Sequence, residues 1–173
     1  MIRGESGYWM RVQAESTTGT IVRDRLAREV ADRARRRGIT VAVAESLTGG
    51  MVATALAAAE AASEWFRGSL VAYSSEVKHA LLDVPDGPVV SAEAAEAMAT
   101  GVRRLLGADV AVAVTGSGGP SAEDGQEPGT VYLAIDDGSE VRVRRLGLSG
   151  EPGEICADSA EATLRLLLDG LGR

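Results

Sequence analysis

Residues 41–50, VAVAESLTGG, constrain the fold of this chain more than any other stretch. Small and β-branched apolar residues lead without interruption into polar residues and a glycine pair, and an alanine-rich run follows. Uninterrupted apolar runs of this kind are typical of strands buried on both faces, as in a parallel sheet covered by helices. Because ligands bind beyond the carboxyl ends of such strands, the stretch predicts an active-site loop. An ordinary strand-to-helix connection built from small residues is the alternative.

Residues 109–120 repeat this pattern, since DVAVAV is followed by the glycine-rich TGSGGP. They predict a second buried strand that ends in a second loop. Neither loop has the GxGxxG spacing of dinucleotide-binding folds or the Gly-Lys-Ser/Thr of a Walker loop. The two loops predict an anion or nucleotide site without specifying its ligand.

Helical and strand patterns alternate along the rest of the chain. We predict helices at residues 21–37, 49–60, 75–82, 92–106 and 154–168, and strands at 39–44, 70–73, 109–114, 130–135 and 140–148. This order predicts an α/β fold, a three-layer α/β/α sandwich with a mixed, mostly parallel five-stranded sheet. Residues 1–20 show no period, so we expect a flexible leader followed by a single domain at 21–173.

Composition narrows the class of protein. A chain of 173 residues that is 45% hydrophobic and 25% charged is typical of one globular domain, and its net charge of −7 argues against nucleic-acid binding. Cys156 and His79 are single, so we expect neither a disulfide nor a metal site, and nothing predicts a cofactor. Since no apolar run approaches a transmembrane length, we expect a cytoplasmic protein that does not bind membranes.

Ser46 and Lys78 are the residues best suited to chemistry. Among 18 basic residues Lys78 is the single lysine, and an amine can lose its proton whereas a guanidinium cannot, although survival by chance is the alternative. If the first two strands are neighbours, a desolvated Lys78 could deprotonate Ser46. Tyr73 could relay the proton or orient the amine, or simply be an interfacial aromatic. Backbone N–H groups of residues 49–50 or 116–119 could stabilise an oxyanion.

Two other polar features predict no chemistry. We expect His79 to lie at the surface, because it adjoins Lys78 on the helix and faces another direction. Glu123 and Asp124 belong to a polar segment, and we expect them to be solvated.

Five motifs in this order carry a resemblance to a known family: AESLTGG, VAYSSEVKHALL, VSAEAAEAMATGV, ADVAVAVTGSGGP and GTVYLAI. Over roughly residues 22–168 the chain resembles the CinA C-terminal domain family, nicotinamide-nucleotide amidohydrolases of the PncC type. The resemblance implies hydrolysis of the amide of nicotinamide mononucleotide, a small-molecule substrate, to nicotinic acid mononucleotide and ammonia in pyridine-nucleotide salvage. It implies Ser46 as nucleophile, Lys78 as general base and Tyr73 as the third catalytic residue. The substrate-binding residues that we predict are Glu45, Thr48, Gly49, Gly50, Thr115, Gly116, Gly118, Gly119 and Thr130.

The most consequential departure from the family lies before the last helix. The family has a Gly-x-Arg-x-x-x-Arg run, and this chain has Pro152 and Cys156 at the arginine positions. If one arginine holds the phosphate or the oxyanion, its loss lowers affinity or turnover, by about 10²–10³ in rate for one transition-state contact. Arginines of the preceding strand could substitute, namely Arg142, Arg144 or Arg145.

Two functions therefore stay open, together with a variant of the first. The chain is an active Ser–Lys amidohydrolase, or it is a catalytically degenerate homologue that binds a nucleotide or a partner protein. The variant is hydrolysis of another amide, one without a phosphate. By analogy with proteins of this architecture, a homodimer is a possible assembly.

Overall fold

The computed structural model describes residues 6–172, and their side chains from residue 19 onward. Helices and strands alternate over this range much as the sequence predicts. The elements are α1 Ser6–Arg37, β1 Val41–Glu45, α2 Met51–Ala57, α3 Ala62–Trp65, β2 Phe66–Val71, α4 Ser75–Leu82, α5 Ala92–Leu106, β3 Val110–Gly116, β4 Thr130–Asp136, β5 Val141–Gly147 and α6 Pro152–Gly170.

The five strands form one mixed sheet in the order β2-β1-β3-β4-β5. β1 pairs in parallel with β2 and β3, whereas β4 is antiparallel to both of its neighbours. β4 is therefore the one reversed strand of this sheet. The carboxyl ends of β1, β2 and β3 meet at the same edge, which confirms the predicted fold class and places the two glycine-rich loops together.

Valine and alanine alternate along the central strands, so the two residue types face different sets of helices. The valines of β1 and β3 pack with α1, α2 and α6, and the alanines between them pack with α4 and α5. Because alanine adds only a methyl group above the sheet, the helices on that face approach closely. The sandwich thus has three layers.

Local capping sets the ends of α4 and α5, both of which match the predicted bounds. The Ser74 hydroxyl accepts from the backbone N–H of Val77 (3.3 Å), and the Ser91 hydroxyl accepts from that of Ala94 (3.1 Å). Gly107 ends α5 in the left-handed region, with φ of 62°. The two serines satisfy N–H groups that have no partner inside the helix, and the N–H of Gly107 donates to carbonyls of the last turn of α5.

Three elements differ from the prediction. α1 begins at Ser6 and not at residue 21, so most of the predicted leader is helical, and residues 1–5 lie outside the described residues. β2 begins at Phe66 because it pairs along the whole of β1. In the sequence, Gly68 and Ser69 interrupt the apolar pattern of this strand. α2 begins at Met51 because Gly50, with φ of 102°, still belongs to the loop. Within the described part of the chain, no helix combines the length and apolarity that crossing a bilayer requires.

Candidate active site

Ser46 directly follows β1 and Tyr73 is the second residue after β2, and both leave the sheet at the same edge because β1 and β2 stay paired to their last residues. The backbone N–H of Ala72 donates to the carbonyl of Glu45 (2.8 Å), and that of Ser46 donates to the carbonyl of Val114 on β3 (3.1 Å). The residue after each strand is therefore fixed by the ladder itself. The neighbouring strands that the Ser46–Lys78 hypothesis requires are present.

A cavity of about 500 Å³ lies at this edge of the sheet. Ser46 and Tyr73 line it together with the loop after β1, the loop after β3 and the first turn of α6. The remaining lining residues are Leu47, Thr48, Gly49, Met51, Gly116, Gly118, Gly119, Glu123, Pro152, Gly153 and Cys156. Two of the three predicted catalytic residues, Ser46 and Tyr73, thus line the cavity together with several of the predicted binding glycines.

Lys78 lies buried behind this cavity, with 1% of its surface exposed. Its Nζ donates to the backbone carbonyl of Tyr73 (3.2 Å), and no carboxylate among the described residues lies within ion-pair distance of it. Burial lowers the pKa of Lys78 from its ordinary value, and the negative charges of Glu123 and Asp124 raise it by less. The environment therefore favours the neutral amine, which is the form that accepts a proton.

Tyr73 contacts Lys78 and lines the same cavity as Ser46, and Ser46 has no direct bond to Lys78 among the described residues. Within the described residues no hydrogen bond joins Ser46 Oγ to Lys78 Nζ, and Ser46 is 7% exposed. Tyr73 contacts the amine with its backbone carbonyl, while its side chain is 70% exposed at the rim of the cavity. The main chain of Tyr73 therefore orients the amine, and a role for the phenol stays a prediction.

Glu45 is not a substrate-binding residue, contrary to the prediction, because its carboxylate is completely buried. It accepts from the Thr48 hydroxyl (2.7 Å) and from the backbone N–H groups of Gly50 (3.1 Å), Val52 (3.1 Å) and Ala53 (2.8 Å). These bonds hold the loop after β1 against the start of α2. Glu45 is a positioning residue for the site.

The loop after β1 also donates less to a ligand than predicted. The backbone N–H of Gly49 donates to the carbonyl of Ser46 (3.0 Å), and that of Gly50 is taken by Glu45. Thr48 is 2% exposed, and its hydroxyl is used by the same carboxylate. Gly49 and Thr48 line the cavity but Gly50 does not, so neither glycine of this loop offers a free backbone N–H to an oxyanion.

Thr115 and Thr130 are buried and do not line the cavity, so the structure does not support the binding roles predicted for them. The Thr115 hydroxyl donates to the carbonyl of Val89 (2.7 Å). The carbonyl of Thr130 accepts from the backbone N–H of Ser117 (2.9 Å). Both threonines hold the loop after β3 in place.

Gly116, Gly118 and Gly119 do line the cavity, as predicted. A Cβ on Gly116 would lie 2.7 Å from the carbonyl oxygen of Thr130, so only glycine fits this strand end. The backbone N–H groups of Gly118 and Gly119 have no acceptor among the described residues. They are the best placed donors for an oxyanion.

The acidic loop before β4 is part of the site, which the sequence did not indicate. Glu123 lines the cavity, and the Asp124 carboxylate accepts from the backbone N–H groups of Val89 (2.6 Å) and Val90 (3.1 Å). Asp124 has a positive φ of 52°, which short polar side chains tolerate. These contacts of Asp124 fix the neighbouring Glu123 beside the cavity. Because their partners lie about 35 residues away in the chain, they leave no local pattern in the sequence.

His79 is half-buried and not a surface residue as predicted. Its Nδ1 lies 2.8 Å from the backbone carbonyl of Val84, just beyond the end of α4. The histidine therefore helps to fix the helix that carries Lys78.

The missing family arginines are not replaced from β5. Arg142 pairs with Glu140 (3.1 Å), Arg144 pairs with Asp169 (3.5 Å), and the guanidinium of Arg145 lies 6.0 Å from the centre of the Tyr132 ring. β5 is the sheet edge opposite β2, and none of its arginines lines the cavity.

Pro152 and Cys156 form a neutral wall where the family has its arginines. The thiol of Cys156 donates to the carbonyl of Leu47 (3.1 Å), and burial raises the pKa of this thiol. Cys156 is therefore a packing residue between α6 and the loop that carries Ser46, and it is held in the protonated form.

Comparison with known proteins gives a consistent result. A family model described as the CinA C-terminal domain matches residues 23–171 of the chain. The chain is 43% identical over 123 residues to a CinA-like protein of Citrifermentans bemidjiense and 41% identical over 140 residues to one of Myxococcus xanthus. These matches cover 68% and 77% of this chain, but 30% and 33% of the two relatives. The chain thus spans about a third of the length of the curated relatives it matches.

Solved structures are similar over nearly their whole length. A crystal structure of a competence-damaged protein (CinA) superfamily protein from Klebsiella pneumoniae superposes with a TM-score of 0.82 at 30% identity, covering 86% of this chain and 97% of that one. A competence/damage inducible protein from Agrobacterium tumefaciens gives a TM-score of 0.82 at 28% identity, covering 88% of this chain and 96% of that one.

Proposed function

The chain belongs to the CinA C-terminal domain family, and on this premise we propose that it is a nicotinamide-nucleotide amidase. In this proposal it hydrolyses the amide of nicotinamide mononucleotide and releases nicotinic acid mononucleotide and ammonia. Ser46 is the nucleophile and Lys78 is the general base. The reaction takes place in the cavity at the carboxyl ends of β1 and β3.

The state of Lys78 is the observation that carries the proposal. Lysine is rarely buried without a carboxylate partner, because the ammonium form loses its hydration. Lys78 is 1% exposed and is held by one backbone carbonyl, next to a cavity that contains a serine hydroxyl. A serine needs such a base before it can attack an amide, and this placement supports a Ser–Lys mechanism.

The proposed reaction proceeds in two halves. The neutral amine of Lys78 accepts the hydroxyl proton while Ser46 Oγ bonds to the amide carbon, and the carbonyl electrons move to oxygen. The backbone N–H groups of Gly118 and Gly119 are the candidate donors to this oxyanion. The carbon–nitrogen bond then breaks, and the Lys78 ammonium returns its proton to the departing nitrogen, which leaves as ammonia. In the second half Lys78 deprotonates a water molecule as it attacks the ester carbon; the bond from that carbon to Ser46 Oγ then breaks, and Lys78 returns the proton to Ser46 while nicotinic acid mononucleotide leaves.

Ammonia release from nicotinamide mononucleotide tests this proposal. We expect the purified protein to release ammonia, and the Ser46→Ala and Lys78→Ala variants to lose at least about 10²-fold in rate, the size of one proton-transfer contribution. Ser63→Ala, on the exposed surface of α3, is the matched control and should keep full activity. Ammonia release that persists in Ser46→Ala would contradict the assignment of the nucleophile.

A second function is supported by the neutral wall of Pro152 and Cys156. Without the family's arginines the site could bind a nucleotide or a partner and turn over poorly, as a catalytically degenerate homologue. Isothermal titration with nicotinamide mononucleotide separates the two functions. Binding without ammonia release by the unmodified protein would favour the degenerate homologue.

A further inference from the structure

The cavity of the proposed amidase carries no positive charge among its described lining residues. Glu123 is the charged group that lines it, and Lys78 lies behind its wall. Nicotinamide mononucleotide ends in a phosphate, which proteins bind with charged donors and arginine above all. A cation outside the cavity, at a distance that an extended substrate can reach, would meet this need.

Arg23 lies on α1 at the level of the active-site loop. α1 runs antiparallel to β1, because a short connection joins them and the backbone N–H of Ile39 donates to the carbonyl of Ala34 (2.9 Å). The steps from Val41 to Ser46 rise about 17 Å at roughly 3.3 Å per residue, which equals about eleven residues of helix at roughly 1.5 Å each. Counted back from Ala34, that length reaches Arg23.

A second depression, of about 300 Å³, connects Arg23 with the active-site loop. Arg23, Thr20, Gly49, Gly50 and Met51 contribute to its lining. Gly49 and Met51 also line the active-site cavity, so the two spaces adjoin across this loop. The side chain of Met51 is 38% exposed between them, where it can support the middle of a bound molecule.

The guanidinium of Arg23 has no carboxylate partner among the described residues. It is half-buried, and its Nη2 donates to the Thr20 hydroxyl (3.3 Å). Its neighbour Arg25, in contrast, lies 4.0 Å from Glu29. Asp24 borders the same depression, and it also borders the next one along α1, together with Arg28.

We infer that Arg23 binds the phosphate of the substrate, across the loop Gly49–Met51 from Ser46. The inference rests on the proposed function and names the group that takes over phosphate recognition where Pro152 and Cys156 replace arginine. A planar guanidinium offers paired N–H donors to phosphate oxygens, so Arg23 selects the mononucleotide over the corresponding riboside. Arg23 is a specificity residue and takes no part in proton transfer.

Binding of two ligands that differ only in the phosphate tests this inference. Ser46→Ala protein, which should bind substrate without consuming it, is titrated with nicotinamide mononucleotide and with nicotinamide riboside. We expect Arg23→Ala in this background to weaken binding of the mononucleotide about tenfold or more, the effect of one charged hydrogen bond, and to leave binding of the riboside unchanged. Arg28→Ala, on the same helix but away from the loop, is the matched control and should change neither.

The outcomes separate this inference from the proposed activity. Equal weakening for both ligands, no weakening for the mononucleotide, or no binding of the mononucleotide by the Ser46→Ala protein would overturn the role of Arg23. If the unmodified protein releases no ammonia but Arg23→Ala selectively weakens mononucleotide binding, the amidase proposal fails and phosphate recognition by Arg23 stands. If the unmodified protein releases ammonia but Arg23→Ala leaves its affinity for the mononucleotide unchanged, the amidase proposal stands and the role of Arg23 fails.

Discussion

At the scale of single residues, the surroundings of Lys78 decide whether it can act as a base. Its burial favours the neutral amine, whereas the acidic loop that bears Glu123 and Asp124 favours the ammonium. The amine accepts a proton only in its neutral form, so the balance of these two effects sets the pH at which the site becomes active.

Removal of the charge on Glu123 should shift this balance. The neutral fraction of Lys78 rises with pH through its pKa, so kcat/KM for ammonia release should rise with it. Because the charge on Glu123 raises the pKa of Lys78, we expect Glu123→Gln to lower that pKa and to move the rise in kcat/KM to lower pH.

The control for this shift is Glu127→Gln, which removes an exposed charge from the same loop. Its pH profile should match that of the unmodified protein. A Glu123→Gln profile that stays in place, or moves to higher pH, would show that Lys78 does not set the rise.

The sequence was sufficient to single out Ser46, Tyr73 and Lys78 as candidates, because strand ends and a single lysine leave a local pattern. It could not assign Glu45 or Glu123. The partners of Glu45 are backbone N–H groups of a loop whose conformation cannot be read from the sequence. Glu123 reaches the cavity only through contacts of Asp124 with a distant segment. Such roles depend on tertiary structure.

At the scale of elements, one buried carboxylate organises the junction of β1 and α2. Glu45 accepts four donors from the loop and from the first turn of the helix, at 2.7–3.1 Å. A charged acceptor for several backbone donors stabilises a loop more than neutral bonds do. The conformation of the loop that bears Ser46 therefore depends on Glu45.

Glu45→Gln should destabilise the protein by at least about 2 kcal/mol, because the amide keeps one acceptor oxygen and adds donors that find no acceptor. Urea denaturation followed by circular dichroism measures the free energy of unfolding. Glu60→Gln is the matched control, since this carboxylate is 83% exposed and makes a surface ion pair with Arg35 at 3.4 Å. Glu60→Gln should lower the free energy of unfolding by less than about 1 kcal/mol. An equally small loss in Glu45→Gln would contradict the role given to Glu45.

The helix α4, which carries Lys78, packs closely against α5, and this contact helps to fix the position of Lys78. A Cβ on Gly101 would lie 2.5 Å from the carbonyl oxygen of Leu82, which is one turn beyond Lys78 on α4. We expect Gly101→Ala to push α4 outward, to reduce the free energy of unfolding by about 1–3 kcal/mol and to slow ammonia release.

Gly147→Ala is the control for this change, because nothing lies within 4 Å of a Cβ at that exposed position of β5. Its stability and activity should stay close to those of the unmodified protein. Full activity in Gly101→Ala would show that the position of α4 tolerates displacement.

The helices whose ends are capped were the easiest elements to predict. Ser91 and Gly107 mark the ends of α5 in the sequence itself. β2 was harder, since Gly68 interrupts its pattern and its pairing with β1 forms it. The bounds of α1 and α2 were misjudged for related reasons: α1 extends through a stretch without apolar periodicity, and the bonds of Glu45 delay the start of α2.

At the scale of the whole molecule, sheet topology assembles the site. The order β2-β1-β3 places the ends of three parallel strands next to one another, and α6 closes the cavity from the far end of the chain. Uninterrupted apolar runs in the central strands and the order of the elements predicted the layers, because strands buried on both faces need helices on each side. The order of the strands along the chain does not specify which strands are neighbours in the sheet. The order in the sheet is what brings Ser46 and Tyr73 to the same cavity.

The central claim is that burial in this architecture lowers the pKa of Lys78 and so favours its neutral, basic form, and NMR can titrate that amine directly. Because the chain contains one lysine, protein labelled with ¹³C-lysine gives a single Cε resonance that belongs to Lys78. We predict that its chemical shift titrates with a midpoint clearly below 10.5, the ordinary value for lysine, and that ammonia release rises with the same midpoint. A midpoint at or above 10.5 would contradict the account, since burial would then not favour the neutral amine that the activation of Ser46 requires.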